Sequence, residues 1–235
     1  MSSARFNRQE ILGAIGMRGQ AKLSKATVAI VGVGGVGSVS AELLCRAGVG
    51  NLIIFDPDSV HESNLPRQML YDTSDVGKKK AVAAAARLKK IWPAARVTAH
   101  ASFLEKKNLS LLDGADVILD GTDNLETRLL VAKYAKKKKK LFIYAGAVET
   151  RGMVFPCIPE KNMPTLQDVL GDKRAADSCG TVGILNGTNA LAAGIQCMLA
   201  TRWIVTGKLE PRLHIIDSWN GTVQAIAVST KKKEE

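Results

Sequence analysis

Aromatic residues make up only 5% of this 235-residue chain, and it carries three histidines and four cysteines. Each scarcity narrows what the chain can be. Cys45, Cys157, Cys179 and Cys197 form no close pair, so neither a disulfide framework nor metal-ligand spacing is written here, and reduced thiols in a cytoplasm are expected. His61, His100 and His214 fall in no nucleophile or metal pattern, which leaves them as surface or structural residues. No N-terminal segment joins a basic head to an apolar run and a small-residue cleavage site, so no secretory signal is read. The most apolar stretch, 183–205, has the length of a bilayer span, but Asn186, Asn189, Gln196 and Arg202 interrupt it. It reads as a buried core helix, and no membrane partner is expected.

The missing rings also bear on the charge. The net charge is +11, and lysines cluster at 78–80, at 136–140 and in the terminal KKKEE, with few aromatics beside them to stack on bases. Nucleic acid is therefore not the expected partner. Solvated faces and a basic tail at 229–235 account for the charge, which would attract acidic protein surfaces.

An apolar fraction of 46% is enough for a sizeable core. β-Branched runs alternate with helix-period stretches: a strand before GVGGVG, a helix over 39–47, a strand ending at Asp56, and an alanine-rich helix stopped by Pro93. Strands ARVTAHA, ADVILDG, LFIYAGA and GMVFPCI follow, with a helix over 125–138 before the third of them. This order predicts an α/β fold with a doubly wound, mostly parallel sheet. Near the C-terminus, Asn220-Gly221 predicts a tight hairpin and hence an antiparallel extension. We read one domain over 1–235, with an N-terminal helical extension at 1–25 and a surface crossover at 159–178 holding a short helix near 166–170.

Gly32, Gly34, Gly35 and Gly37 stand between a strand and a helix, where missing side chains let backbone N–H groups approach a phosphate. Asp56 ends the next strand, where a carboxylate accepts hydrogen bonds from a ribose. An NAD-dependent dehydrogenase would use the same two features, but it needs no further cations. The connector after Asp56 supplies them: Asn64, Arg67, Gln68 and Lys80 are suited to a polyphosphate and its leaving group. Asp123, in LDGTDN, adds a carboxylate for Mg²⁺. Asp58, Ser63 and Asn124 lie beside these residues and complete the expected nucleotide contacts.

RFNRQ at 5–9, GVGGVG at 32–37, DPDSVHESNLPRQ at 56–68, DVGKKKA at 75–81 and DGTDNLETR at 120–128 together resemble the ThiF/MoeB/HesA family. These are the prokaryotic relatives of ubiquitin-activating enzymes. The resemblance implies a ubiquitin-activating-enzyme-like fold and an adenylyltransferase. Such an enzyme uses Mg-ATP to activate the C-terminal Gly-Gly carboxylate of a ubiquitin-like or sulfur-carrier protein in thiamine or molybdopterin biosynthesis. It further implies that Arg8 enters the site of a neighbouring subunit in a homodimer, and that Cys179 is either a reactive thiol or a small residue packed at a helix start. Many relatives carry two CxxC pairs for zinc. Here FPCIPE keeps one cysteine and the tail none, so no zinc is predicted. Within the family, the alternative is the branch that dehydrates a threonylcarbamoylated adenosine of tRNA.

Overall fold

The computed structural model describes residues 4–171 and 183–229. Two short helices, α1 (Asn7–Glu10) and α2 (Gly16–Lys25), precede β1 (Thr27–Val31), α3 (Gly35–Ala47) and β2 (Asn51–Phe55). Then come α4 (Lys80–Ile91), β3 (Arg96–His100), β4 (Val117–Asp120), α5 (Leu125–Lys137) and the paired strands β5 (Leu141–Val148) and β6 (Arg151–Cys157). The chain closes with α6 (Leu166–Leu170), α7 (Asn186–Thr206), β7 (Arg212–Asp217) and β8 (Thr222–Ala227).

All eight strands form one sheet in the order β3-β2-β1-β4-β5-β6-β7-β8. The first five pair in parallel and the last three antiparallel, as the sequence pattern predicts. Alternation along the central strands builds two cores. Val28, Ile30, Leu52, Ile54, Val117 and Leu119 face α3, α4 and α7, whereas Ala29, Val31, Phe55, Ile118, Phe142 and Tyr144 face α5 and α6. Strands buried on both faces need this continuous apolar composition.

The order of strand addition reverses at β1: the chain runs outward from β1 to β2 and β3, then returns to place β4, also parallel, on the other side of β1. At such a switch the loops diverge and leave a crevice at the carboxyl ends of the strands. The backbone there is unusually close. A Cβ on Gly37 would stand 1.9 Å from the Gly32 carbonyl oxygen, and one on Gly121 would stand 2.3 Å from the same atom. Gly32 itself has φ +86°, a left-handed conformation that few side chains tolerate.

Two expectations shift. The helix after the glycine turn begins at Gly35, not at 39, because glycines carry no apolar periodicity although their backbone is already helical. The β7–β8 hairpin is wider than the tight turn expected: a four-residue loop, 218–221, separates the strands, and the Asp217 carboxylate holds it by accepting from Asn220. Among the described residues, no helix is long and apolar enough to cross a membrane.

The crowding makes a paired prediction. Gly37→Ala should destabilise the fold by about 3 kcal/mol, since its methyl meets backbone that cannot rotate away. Gly114→Ala meets nothing within 4 Å and should stabilise by about 0.5 kcal/mol through the unfolded chain. Urea unfolding of both variants checks this, and equal midpoints would contradict it.

Candidate nucleotide site

The site is assembled from the ends of β1, β2 and β4. Gly34 precedes α3, and space opens there, the nearest neighbour of a Cβ at this position being Gln68 Nε2 at 3.7 Å. The first N–H groups of α3 have no acceptor within the helix and carry the positive end of its dipole, a ready anion site.

Asp56 follows β2 and is buried, with one carboxylate oxygen accepting from Val33 N at 2.9 Å and the other from Asp58 N at 3.0 Å. Burial pushes its pKa up, against the lowering influence of Lys80 and these backbone donors. Lys80, the first residue of α4, donates to Asp58 at 3.0 Å. Its side chain is 8% exposed and that of Asp58 61%, so the carboxylate is the partner free to leave. Tyr71 closes the floor, donating to the Val33 carbonyl at 2.9 Å.

The connector between β2 and α4 holds two 3-10 turns, Glu62–Asn64 and Thr73–Asp75, which the sequence reading did not anticipate. Asn64 is buried, and its Oδ1 accepts from His61 N at 3.1 Å, so that oxygen caps a turn. Arg67 donates to the Ser63 carbonyl at 2.7 Å, which keeps Ser63 and Arg67 on one turn. Gln68 is buried against the glycine turn, and its Oε1 has no partner among the described residues.

Asp123 stands exposed just before α5, and Asn124 caps that helix by accepting from Thr127 N at 2.9 Å. The turn bearing Asp123 is fixed by a pair that the sequence reading missed. Asp120 is fully buried and accepts from Arg128 Nε at 2.6 Å, while Arg128 also donates to the Thr122 carbonyl and lies 4.8 Å over the Tyr144 ring. Opposite charges eight residues apart in DGTDNLETR were the available signal. Gln196 was visible only as an interruption of the apolar helix. Fully buried, it donates to the carbonyls of Asp120 and Ile143 at 2.8 Å each and accepts from Ser40. Asn189 on α7, also buried, packs against Gly35 with its Nδ2 unpartnered. Each such orphan costs about 1–3 kcal/mol in a closed interior.

Contacts thus join Gly34 with Gln68, Val33 with Asp56, and Asp58 with Lys80, while the Gly32–Gly121 approach brings in the turn before Asp123. Arg8 is not among them. Arg5 donates to the Ile91 carbonyl, Phe6 meets Trp92 edge-on at 5.3 Å, and Gln9 donates to the Ala47 carbonyl. These contacts hold the segment of exposed Arg8 beside the C-terminal end of α3, away from the glycine turn, and α3 itself is about 18 Å long. Cys179 lies outside the described residues. Burial pushes the Cys157 and Cys197 thiols up to about 12, which leaves neither a nucleophile. His100 stacks on Phe55 at 4.7 Å.

Sheet order and the glycine turn put the chain in the class of nucleotide-binding α/β proteins, with the ligand expected where the order reverses. Within that class it belongs to the ThiF family, which it matches over residues 6–235. It is 35% identical to the sulfur carrier protein ThiS adenylyltransferase of Bacillus subtilis, across 99% of this chain and 70% of that protein. The adenylyltransferase and sulfurtransferase MOCS3 of Drosophila yakuba is 32% identical over 97% of this chain, which spans 52% of that relative. Both relatives are named for the enzyme class that the motifs imply. Among solved structures, E. coli MccB with ATP has a TM-score of 0.81 at 22% identity, covering 99% of this chain and 73% of its own. PaaA has 0.79 at 23%, covering 97% and 73%. At those identities the likeness concerns the fold.

The Asp120–Arg128 pair generates a pH-dependent prediction. Burial raises the Asp120 pKa and Arg128 works against that rise. In Arg128→Ala the folded state prefers the protonated acid, so it binds more protons than the unfolded chain between the ordinary carboxylate pKa and the raised one. Stability of the variant therefore falls as pH climbs through that window. We expect a loss of about 3–5 kcal/mol at pH 8 and a smaller loss at pH 5, read by urea unfolding. Equal losses at both pH values would refute this account.

Proposed function

We propose that the chain is an ATP-dependent adenylyltransferase that activates the C-terminal Gly-Gly carboxylate of a small sulfur-carrier or ubiquitin-like protein. The observation that carries this reading is the buried Lys80, held by a displaceable carboxylate across from Asp56 and the open glycine turn. A dehydrogenase has no use for a cation there. Family membership and the names of the relatives support the same reaction.

In this reading the α3 turn and Asp56 hold the phosphates and ribose of ATP, and Lys80 exchanges Asp58 for a phosphate oxygen. Orphaned Gln68 Oε1 fits a hydroxyl or a water, as a nucleotide site requires. In this reading Asp123 would hold magnesium, which would supply charge relief to the phosphates. The carrier carboxylate is ionised near neutral pH, so its attack needs no general base. One carboxylate oxygen bonds to the α-phosphorus, the bond from that phosphorus to the bridging oxygen breaks, and pyrophosphate leaves with the electron pair. Arg67 and Lys80 oppose the charge that grows on the phosphoryl oxygens.

We further propose a homodimer in which Arg8 serves the partner's site. Its place at the wrong end of α3 supports action across the interface. So does a groove of about 770 Å³ between α1–α2, α3 and α7, lined by Leu12, Ile15, Leu43, Met198 and Val205. Leu12 is 52% exposed and Met198 55%, a large apolar face for a surface. A second copy is the occupant, because the groove is continuous with the α1 segment that carries Arg8.

ATP–pyrophosphate exchange tested against a panel of small Gly-Gly proteins should find one that turns over, and Lys80→Ala or Arg67→Ala should slow it about 10²–10³-fold. Exchange unaffected by both substitutions would sink the assignment, and retention of tRNA at moderate salt with no active carrier would favour the dehydratase branch. Mixing inactive Arg8→Ala and Lys80→Ala subunits should restore about a quarter of the wild-type sites by random pairing. No recovery on mixing would overturn the action of Arg8 across the interface.

A further inference from the structure

We propose that Asn189 is a phosphate ligand of the nucleotide site, a donor outside every motif by which the site is legible; this rests on the ATP-using function above. The residue lies in the first turn of α7 and is 2% exposed. Its amide packs on the first residue of α3. A Cβ at Gly35 would stand 2.7 Å from Asn189 Nδ2 and 2.9 Å from its Oδ1, so glycine at 35 leaves the space that this amide fills.

Packing alone does not account for an asparagine here. Leucine has nearly the same shape and would fill the space without burying a donor. Nδ2 is sealed from solvent and has no hydrogen-bond acceptor among the described residues. The donor therefore has a partner in neither the described residues nor the solvent, and a state that satisfies it is one in which an acceptor enters at the turn.

The neighbours define that acceptor. Next to the amide are the first N–H groups of α3, which the helix leaves unbonded and which carry partial positive charge. Unbonded donors at a helix start select an oxygen-rich anion, and the anion of the proposed site is a nucleotide phosphate. The terminal torsion of asparagine is broad, so a small rotation turns Nδ2 from Gly35 towards the mouth of the turn. On the other flank, Gln68 Oε1 is an orphan acceptor and calls for a hydroxyl or a water. Two amides of opposite need thus bracket Gly34 and Gly35. They fit a ligand with an anionic and a hydroxylated part side by side, as in a nucleoside phosphate.

Calorimetry on the full chain with ATP, AMP and adenosine tests this, with thermal midpoints recorded for each variant. Asn189→Leu, which keeps shape and loses the donor, should weaken ATP and AMP about 10- to 100-fold and leave adenosine within about twofold. Asn189→Asp, which sets a carboxylate against the phosphate, should weaken both phosphates further. In exchange assays the leucine variant should show the loss in KM for ATP. The inference is overturned if wild-type and leucine variants bind ATP alike, or if ATP and adenosine weaken together, the mark of a structural role. Asn189→Ala supplies the same comparison should the leucine variant misfold. Wild-type protein that binds no ATP would remove the proposed function itself, and this inference with it.

Discussion

The structure depends on a contact in which side chains take no part. At the switch between β1 and β4, three backbone segments meet closer than any Cβ allows, with the Gly32 carbonyl wedged between Gly37 and Gly121. That approach fixes where α3 begins and therefore where its unbonded N–H groups point. It also clamps the turn after β4 to the turn after β1, so Asp123 on one and the unbonded N–H groups on the other keep a fixed relation. A single methyl at the contact would separate them. The glycines thus serve two ends at once: Gly32, Gly37 and Gly121 permit packing, while Gly34 leaves open space for a ligand.

Around this backbone contact the polar interior is organised by α7. A fully buried glutamine bonds the carboxyl end of β4, the middle of β5 and Ser40 of α3. Buried amides are tolerated only when bonded, and Gln196 meets that condition completely. Asp120 and Arg128 meet it as a pair, with Tyr144 beneath the guanidinium. Against that background Gln68 and Asn189 stand out. Among the described residues most buried polar groups are satisfied by the chain, and two beside the glycine turn are not. Incomplete satisfaction confined to one end of one helix is the pattern of a surface prepared for something else.

Legibility in the sequence followed the range of the interaction. Strand alternation, the glycine turn, Asp56 at the end of β2 and the start of α4 at Lys80 are local, and their residues alone indicate them. The order of strands three, two and one is a packing outcome, but parallel βαβ units restrict it to few choices. Arg128 was harder to see, since its value lies in Asp120 across a turn and in Tyr144 from another strand. Asn189 was seen as an interruption of an apolar run, which argues against a membrane span and says nothing about its partner. In the hairpin the local signal misled, because Asp217 captures Asn220 and widens the loop. Asn64 and Asn124 illustrate a further ambiguity: an amide suited to a nucleotide is equally suited to capping a turn, and the structure uses their oxygens for capping.

Arg8 takes the argument beyond one chain. Three neighbours of this arginine are tied to the body at the C-terminal ends of α3 and α4. A segment that needed only to cover the core would not require such fixing of a residue it then leaves exposed. The length of α3, about 18 Å, lies between the end to which this segment is tied and the glycine turn, more than a side chain spans. Either Arg8 is an ordinary solvated charge, or its target belongs to another molecule. The apolar groove beside it favours the second choice, because an exposed face of Leu12, Leu43 and Met198 costs free energy until something covers it. Covering that face with a second copy, as proposed above, would bury the groove and bring a second arginine to the shared surface at the same time. Association and catalysis would then rest on one geometric fact, the rigid attachment of α1 at the pole opposite the site.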